Sequence, residues 1–222
     1  MAETGQDKQL RADAERNRQR ILDTARQVFA DEGLGVSMRH IAKRAEVGEP
    51  TLRRRFPSKS ELVAAVFQDK IAAYADISAE GLADPDPWHG FSTHLGKMAR
   101  MQLGDRGFTE VLTMTFPKGM GLEADRRRAY ENISMLIARA KAAGALREDF
   151  TPEDIIMVLI AHAGIVAGAG DIAARLSPRL IAYLLQAFAA PGIGPLPPPP
   201  TMVEAYRALL RMHEDDEAST PS

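Results

Sequence analysis

The sequence predicts an all-α fold, and three features carry that prediction. Apolar residues recur at helical spacing along most of the chain, no long segment alternates apolar and polar residues, and proline, glycine and capping residues cut the chain into helix-length pieces. Two parts are predicted: an N-terminal three-helix domain over 15–62 that contains a helix-turn-helix, and a larger helical domain over 63–213. Residues 1–14 and 214–222 are charged and read as disordered tails.

The first helix is predicted over 15–32, with Ile21, Leu22, Ala25 and Phe29 at helical spacing. Ser37 then precedes a run in which Met38, Ile41, Ala42 and Ala45 share one face, so it is a natural N-cap. Pro50 has no N–H to donate and fits only the first turn of a helix, so the next helix begins near Glu49. Leu52 and Phe56 can pack against Ile41 and Val47, while Arg53, Arg54 and Arg55 cannot all point inward. Pro57 stops that helix, and Ser58 with Glu61 has the spacing of a capping box for the next.

A long helix follows over 60–82 and breaks at Asp84-Pro-Asp-Pro87. Helices are predicted over 88–103, 108–116 and 122–143, with a Pro/Gly loop at 117–121 and a stop at Gly144. Thr151-Pro152 opens another helix, and Ser177-Pro178 repeats the device for a helix over 178–190. Residues 191–200 are Pro/Gly-rich and read as extended, before a last amphipathic helix over 202–213.

Charge is concentrated. From Arg39 to Lys59 there are seven Lys/Arg and two Asp/Glu, a balance of +5 in a chain whose total is −2, which leaves −7 elsewhere. A near-neutral protein with one strongly basic helix pair has a localised footprint for a polyanion. A solvated basic face is the ordinary alternative, and its coincidence with the turn geometry argues for the footprint.

The stretch from Arg18 to Phe67 resembles the DNA-binding domain of the TetR family of transcriptional regulators. The shared order is Ile21-Leu22, Ala25 and Phe29, a loop with Gly33, a capped helix with Ile41-Ala42, then Ala45, Val47, Thr51-Leu52, Phe56, Lys59 and Leu62. The rest of the chain is similar only in length and helical character. Three positions depart from the family's habit: Glu46 stands where a glycine is usual in the turn, and Arg53 and Arg55 replace a usual Tyr and His. A non-glycine residue in a left-handed turn costs roughly 1 kcal/mol, or forces another turn.

The resemblance implies a cytoplasmic homodimer that binds a palindromic double-stranded DNA operator and releases it on binding a small-molecule effector. It implies a DNA-facing set of Ser37, Arg39, Glu49, Pro50, Thr51, Arg53, Arg54, Arg55 and Lys59. Thr51, Arg53 and Arg54 would face the major groove, Arg55 and Lys59 would hold phosphates, and Arg39 would read a guanine. It also implies an effector pocket in the second domain, where Trp88, Phe91, Met98, Met114, Phe116, Tyr130 and His162 offer an adaptable, mostly apolar lining. Ordinary core filling is the simpler reading of any one of these. His94 and His162 also read as core histidines with satisfied nitrogens.

A small-residue stripe, Ala161, Gly164 and Gly168, lets helix backbones approach closely, and Ile181, Leu184, Leu185 and Phe188 give the next helix an apolar face. These two helices are expected to pair with their symmetry mates.

Other classes find little support. There is no cysteine, so no disulfide or thiolate chemistry is available. The N-terminus is polar and lacks a signal-peptide core. The most apolar stretch, 155–170, is short for a membrane span and is expected to be a buried helix. Nucleotide-binding and hydrolase motifs are absent, His89 and His94 are five apart and poorly placed to share a metal, and no cofactor is expected. Two alternatives remain: an all-α carrier or enzyme with a structural basic helix pair, and an architectural nucleic-acid binder without an effector.

Overall fold

The computed structural model describes residues 5–113, 122–192 and 194–205. Within them the chain forms α1 (Gly5–Glu32), α2 (Met38–Arg44), α3 (Glu49–Arg55), α4 (Lys59–Ala83), α5 (Pro87–Gln102), α6 (Arg106–Thr113), α7 (Glu123–Ala142), α8 (Pro152–Ala169) and α9 (Ala173–Phe188). A 3-10 turn, Gly170–Ile172, leads from α8 into α9. The described residues hold no strand, and an isolated antiparallel bridge joins Leu146 to Ala189.

The helices start where local chemistry satisfies their first N–H groups. At α5 the Asp86 carboxylate accepts from the Trp88 and His89 backbone N–H groups at 2.9 and 3.1 Å, with Pro87 as the first helical residue. At α8, Thr151 and Asp154 form a reciprocal capping box, and the Asp154 carboxylate accepts the Thr151 N–H at 2.7 Å.

Helix α4 is the spine. It packs on α5 and α7 toward its C-terminal end and also touches α1 and α6. Gly81 of α4 and Gly90 of α5 form a tight crossing: a Cβ on Gly90 would lie 2.2 Å from the Gly81 carbonyl oxygen, so only glycine fits there. Phe29, Phe67 and Phe108 stack in sequence, with centroids 6.1 and 6.3 Å apart, and so tie α1, α4 and α6 into one core.

Several expectations need correction. Helix α1 begins at Gly5, inside the segment read as a tail. Helix α9 starts five residues before Pro178, which lies inside it. Ser177 does not cap α9, because it lies inside the helix, where its hydroxyl meets His162 Nε2 at 2.7 Å. Ile181, Leu184, Leu185 and Phe188 turn toward the core instead of forming an outer face. Helix α8 is buried on one side only, not throughout. The apolar span Pro152–Phe188 is long and apolar enough to cross a bilayer by composition, and 28% of its most apolar window is buried. The predicted loop over 117–121 and the helix from 206 onward lie outside the described residues.

Candidate nucleic-acid interface and effector-side cluster

The reading head is built from α2 and α3 against α1. The Ser37 hydroxyl accepts the His40 N–H at 3.1 Å and caps α2. The chain turns through Glu46 at φ 54°, in the left-handed region, while the Val47 N–H closes onto the Ala42 carbonyl at 3.0 Å. The turn therefore has the geometry that glycine usually supplies, and Glu46 bears its strain. Gly48 leads into α3, whose second residue is Pro50. Ile41 and Leu52 are fully buried, so they fix the two helices against each other.

This anchoring decides which side chains face out. Arg39, Lys43, Arg44, Arg53, Arg54 and Arg55 are exposed, and Thr51, Glu49 and Lys59 are partly exposed. Arg53 and Arg44 are engaged within the head. Arg53 pairs with Glu49 one turn back, with Nε and Nη2 each 2.9 Å from Oε1. Arg44 lies 3.8 Å from Glu32, whose carboxylate also meets His40 at 3.2 Å. Arg39, Arg54 and Arg55 carry no such acidic clamp in the described contacts. The Arg18 guanidinium lies over the Phe56 ring, 5.9 Å from its centroid, and so braces the end of α3 against α1. At the start of α4 the Ser58 hydroxyl accepts the Glu61 N–H at 3.2 Å and donates to the Glu61 carboxylate at 3.1 Å, one half of the predicted capping box.

The second-domain residues separate into distinct settings. Trp88 stacks on Phe91 with centroids 5.9 Å apart, and Phe91 meets Phe150 edge-on at 5.5 Å. Met98 is fully buried two turns further along α5. Tyr130 is 45% exposed on α7 and so stands outside this buried group. Met114 and Phe116 lie outside the described residues. His162 is buried, and its neighbours account for both ring nitrogens: Nδ1 is 2.8 Å from Gln102 Oε1 and Nε2 is 2.7 Å from Ser177 Oγ. Burial lowers its pKa, because it disfavours the charged ring.

His94 is the contrast. It is just as buried, yet neither ring nitrogen has a hydrogen-bond partner, which overturns its reading as a satisfied core histidine. Burial pushes its pKa down to about 4; the Ile77 backbone carbonyl, which lies near the ring without forming a regular hydrogen bond to it, opposes the shift, and the Lys97 charge adds to it. Its ring faces Tyr74 at 5.9 Å, and burial raises the Tyr74 hydroxyl to about 12.

Sequence reasoning missed the Arg53–Glu49 pair, although an i, i+4 spacing could have signalled it. Nothing local signalled Glu32 beneath α2 or the unpartnered state of His94.

Known proteins bear on this geometry. Residues 21–66 match the family described as bacterial regulatory proteins, tetR family. Residues 86–186 match the transcriptional regulator SbtR-like C-terminal domain. The HTH-type transcriptional repressor KstR of Mycobacterium tuberculosis is 32% identical over 147 residues, which cover 64% of this chain and 66% of that protein. An HTH-type transcriptional regulator of Staphylococcus aureus strain USA300 is 45% identical over 60 residues, 27% of this chain and 32% of that protein. The chain thus spans less than two thirds of either relative. Among solved structures, a bacterial regulatory protein in the tetR family from Rhodococcus RHA1 superposes with a TM-score of 0.61 at 15% identity, covering 81% of this chain and 98% of that one, a likeness of fold.

Proposed function

The chain belongs to the TetR family of DNA-binding transcriptional regulators, and from that premise we propose that it is a homodimeric repressor, released from a palindromic operator by a small, mostly apolar effector. The observation that carries this reading is the reading head itself. Buried Ile41 and Leu52 lock α2 and α3 together, and Arg39, Arg54 and Arg55 stand exposed on the outside. The family is one of regulators, not enzymes, and a soluble cytoplasmic setting follows from that role.

In this reading Thr51 and Arg54 meet the major groove with Arg39, whose fork suits guanine O6 and N7. Arg55 and Lys59 meet phosphates. Arg53 and Glu49 enter as a pair, so Arg53 reaches DNA only by exchanging its carboxylate partner for a phosphate or base.

The dimer reading draws on α8 and α9. Ala161, Gly164 and Gly168 are exposed on α8, and no atom of the rest of the subunit lies within 4 Å of a Cβ built on either glycine. Met157 on α8, Leu176 and Tyr183 on α9, and Ile172 in the turn between them are exposed apolar residues. An uncovered apolar surface of this kind suits a partner subunit. Glu153, Asp154, Arg175 and Arg179 interrupt it, which suits a protein interface better than lipid. Two heads joined this way would sit about 34 Å apart or more on a two-fold site.

The test is genome-wide capture of bound DNA, followed by gel shift on the recovered sites. Recovery of a shared palindrome, bound by two subunits, is the expected result. No sequence-selective DNA binding by the full-length chain sinks the reading.

A further inference from the structure

We propose that His94 is the polar anchor of the effector site, and that the effector is a mostly apolar, uncharged molecule presenting a hydroxyl or carbonyl oxygen to its ring. The inference rests on the regulator reading above and specifies the effector's chemistry.

Burying a hydrogen-bonding group without a partner is costly, and folded proteins rarely tolerate it. Among the described residues, the two His94 nitrogens are the buried side-chain atoms left in that state. The fold is able to satisfy a buried imidazole, since His162 has a partner at each nitrogen. The Ile77 carbonyl lies near the ring but makes no regular hydrogen bond to it, and the other polar groups around His94 are spent elsewhere. The Ser78 hydroxyl donates to the Ala75 carbonyl at 2.6 Å and accepts from Asn132 Nδ2 at 3.0 Å. Lys97 is ion-paired with Glu80. The Gly81–Gly90 crossing holds the base of His94 against α4, where a Cβ on Gly81 would lie 3.3 Å from the His94 Cβ. That crossing fixes where the residue sits, and a molecule from outside the chain would complete its hydrogen bonding.

The setting defines that partner. His94 lies on the buried face of α5 with Phe91, Leu95 and Met98, opposite Tyr74. These neighbours suit an apolar body. The ring is neutral at physiological pH, because burial holds its pKa near 4. It offers one N–H donor and one lone pair, which match a hydroxyl or carbonyl oxygen. An anionic head group would need a cation. His94 resists protonation there, and Lys97 is already paired.

The test uses the full-length protein and four probes with one eight-carbon body: 1-octanol, 2-octanone, octanoate and octane. Operator binding by the wild type is measured first and tests the regulator reading alone. The probes are then titrated by calorimetry, with histidine ring nitrogens followed by NMR. The wild type should bind 1-octanol and 2-octanone more tightly than octane or octanoate, and the His94 ring resonances should move. His94→Phe should bind 1-octanol about tenfold more weakly. Because Phe keeps the ring's outline and removes unpaired nitrogens, the variant should melt at or above the wild-type temperature. Equal 1-octanol affinity in the two proteins, tighter binding of octanoate, no 1-octanol binding up to its solubility limit, or a lower melting temperature for the variant overturns the proposal. A wild type that holds its operator while 1-octanol fails to bind sinks the anchor and leaves the regulator standing. A wild type that binds the probe but no operator does the reverse.

Discussion

The Glu110 carboxylate accepts the backbone N–H of Leu34 at 2.6 Å, joining residues 76 positions apart. Leu34 lies in the turn that leaves α1, just after Gly33 at φ 79°, and Glu110 lies on α6. Arg106 holds the other carboxylate oxygen at 3.0 Å. One turn of α6 away, Gly107 lets the Phe29 backbone approach so closely that a Cβ would meet its carbonyl oxygen at 2.7 Å. The second domain therefore grips the reading head through α6 as well as through α4.

Glu110→Ala should destabilise the protein by about 1–3 kcal/mol, because the buried Leu34 N–H loses its partner. Hydrogen exchange at the Leu34 amide should rise in step. Denaturant unfolding with exchange mass spectrometry checks both, and an unchanged amide would mean the bond is not formed in solution.

Arg39→Ala should relax operator discrimination at one base pair at a cost of about 1–3 kcal/mol per site. Lys59→Ala should weaken all sequences alike and reduce the salt slope by about 1. Binding to an operator series at several salt concentrations separates the two. Intact discrimination in Arg39→Ala would remove that residue from base reading.

Glu46→Gly should stabilise the protein by about 0.5–1 kcal/mol. The left-handed turn costs a side-chain-bearing residue about 1–2 kcal/mol, and glycine's extra freedom in the unfolded chain offsets part of the gain. Chemical denaturation reads this directly. A loss of stability would show that the Glu46 side chain earns its place through a contact.

Stability should fall as the solution is acidified from about pH 6.5 to about pH 4. His94 titrates near 4 in the folded state against 6.5 in the unfolded chain. Between those values the unfolded state binds the additional proton, so stability rises with pH. The full span is roughly 3 kcal/mol for His94, from about 1.4 kcal/mol per pKa unit. His162 is shifted the same way and adds to the slope. Urea midpoints at both ends of the window, for wild type and His94→Phe, isolate the His94 share. Parallel curves would show that the ring is not held neutral by burial.

Gly164→Arg should convert the dimer to a monomer without loss of helix content. The residue is exposed, and its own subunit offers nothing for a side chain to strike. Sedimentation and circular dichroism give the two readouts. A dimer that survives places the interface elsewhere.

The sequence by itself determined the all-α class and the local geometry of the helix-turn-helix. Ser37, Ser58 and Thr151 cap helices where the sequence predicts, and α3 begins at Glu49 with Pro50 in its first turn. Each of these outcomes follows from residues within about four positions of one another, where propensity, capping and turn chemistry act. Anchors such as Ile41 and Leu52 were legible for the same reason, since helical periodicity announces a buried face.

Only the tertiary structure decided what depends on distant partners. Pro178 ended inside α9, and the Ser177 hydroxyl, expected to cap the helix, instead meets His162, 15 residues away. His162 and His94 look alike in the sequence, yet one meets Gln102 across 60 residues and the other meets no partner. Ile181, Leu184, Leu185 and Phe188 turned inward because α9 packs on α8 and α5, which left Leu176 and Tyr183 to face out. A hydrogen bond or a packing face is fixed by what lies across the core, and residues that meet only after folding leave no local pattern to read.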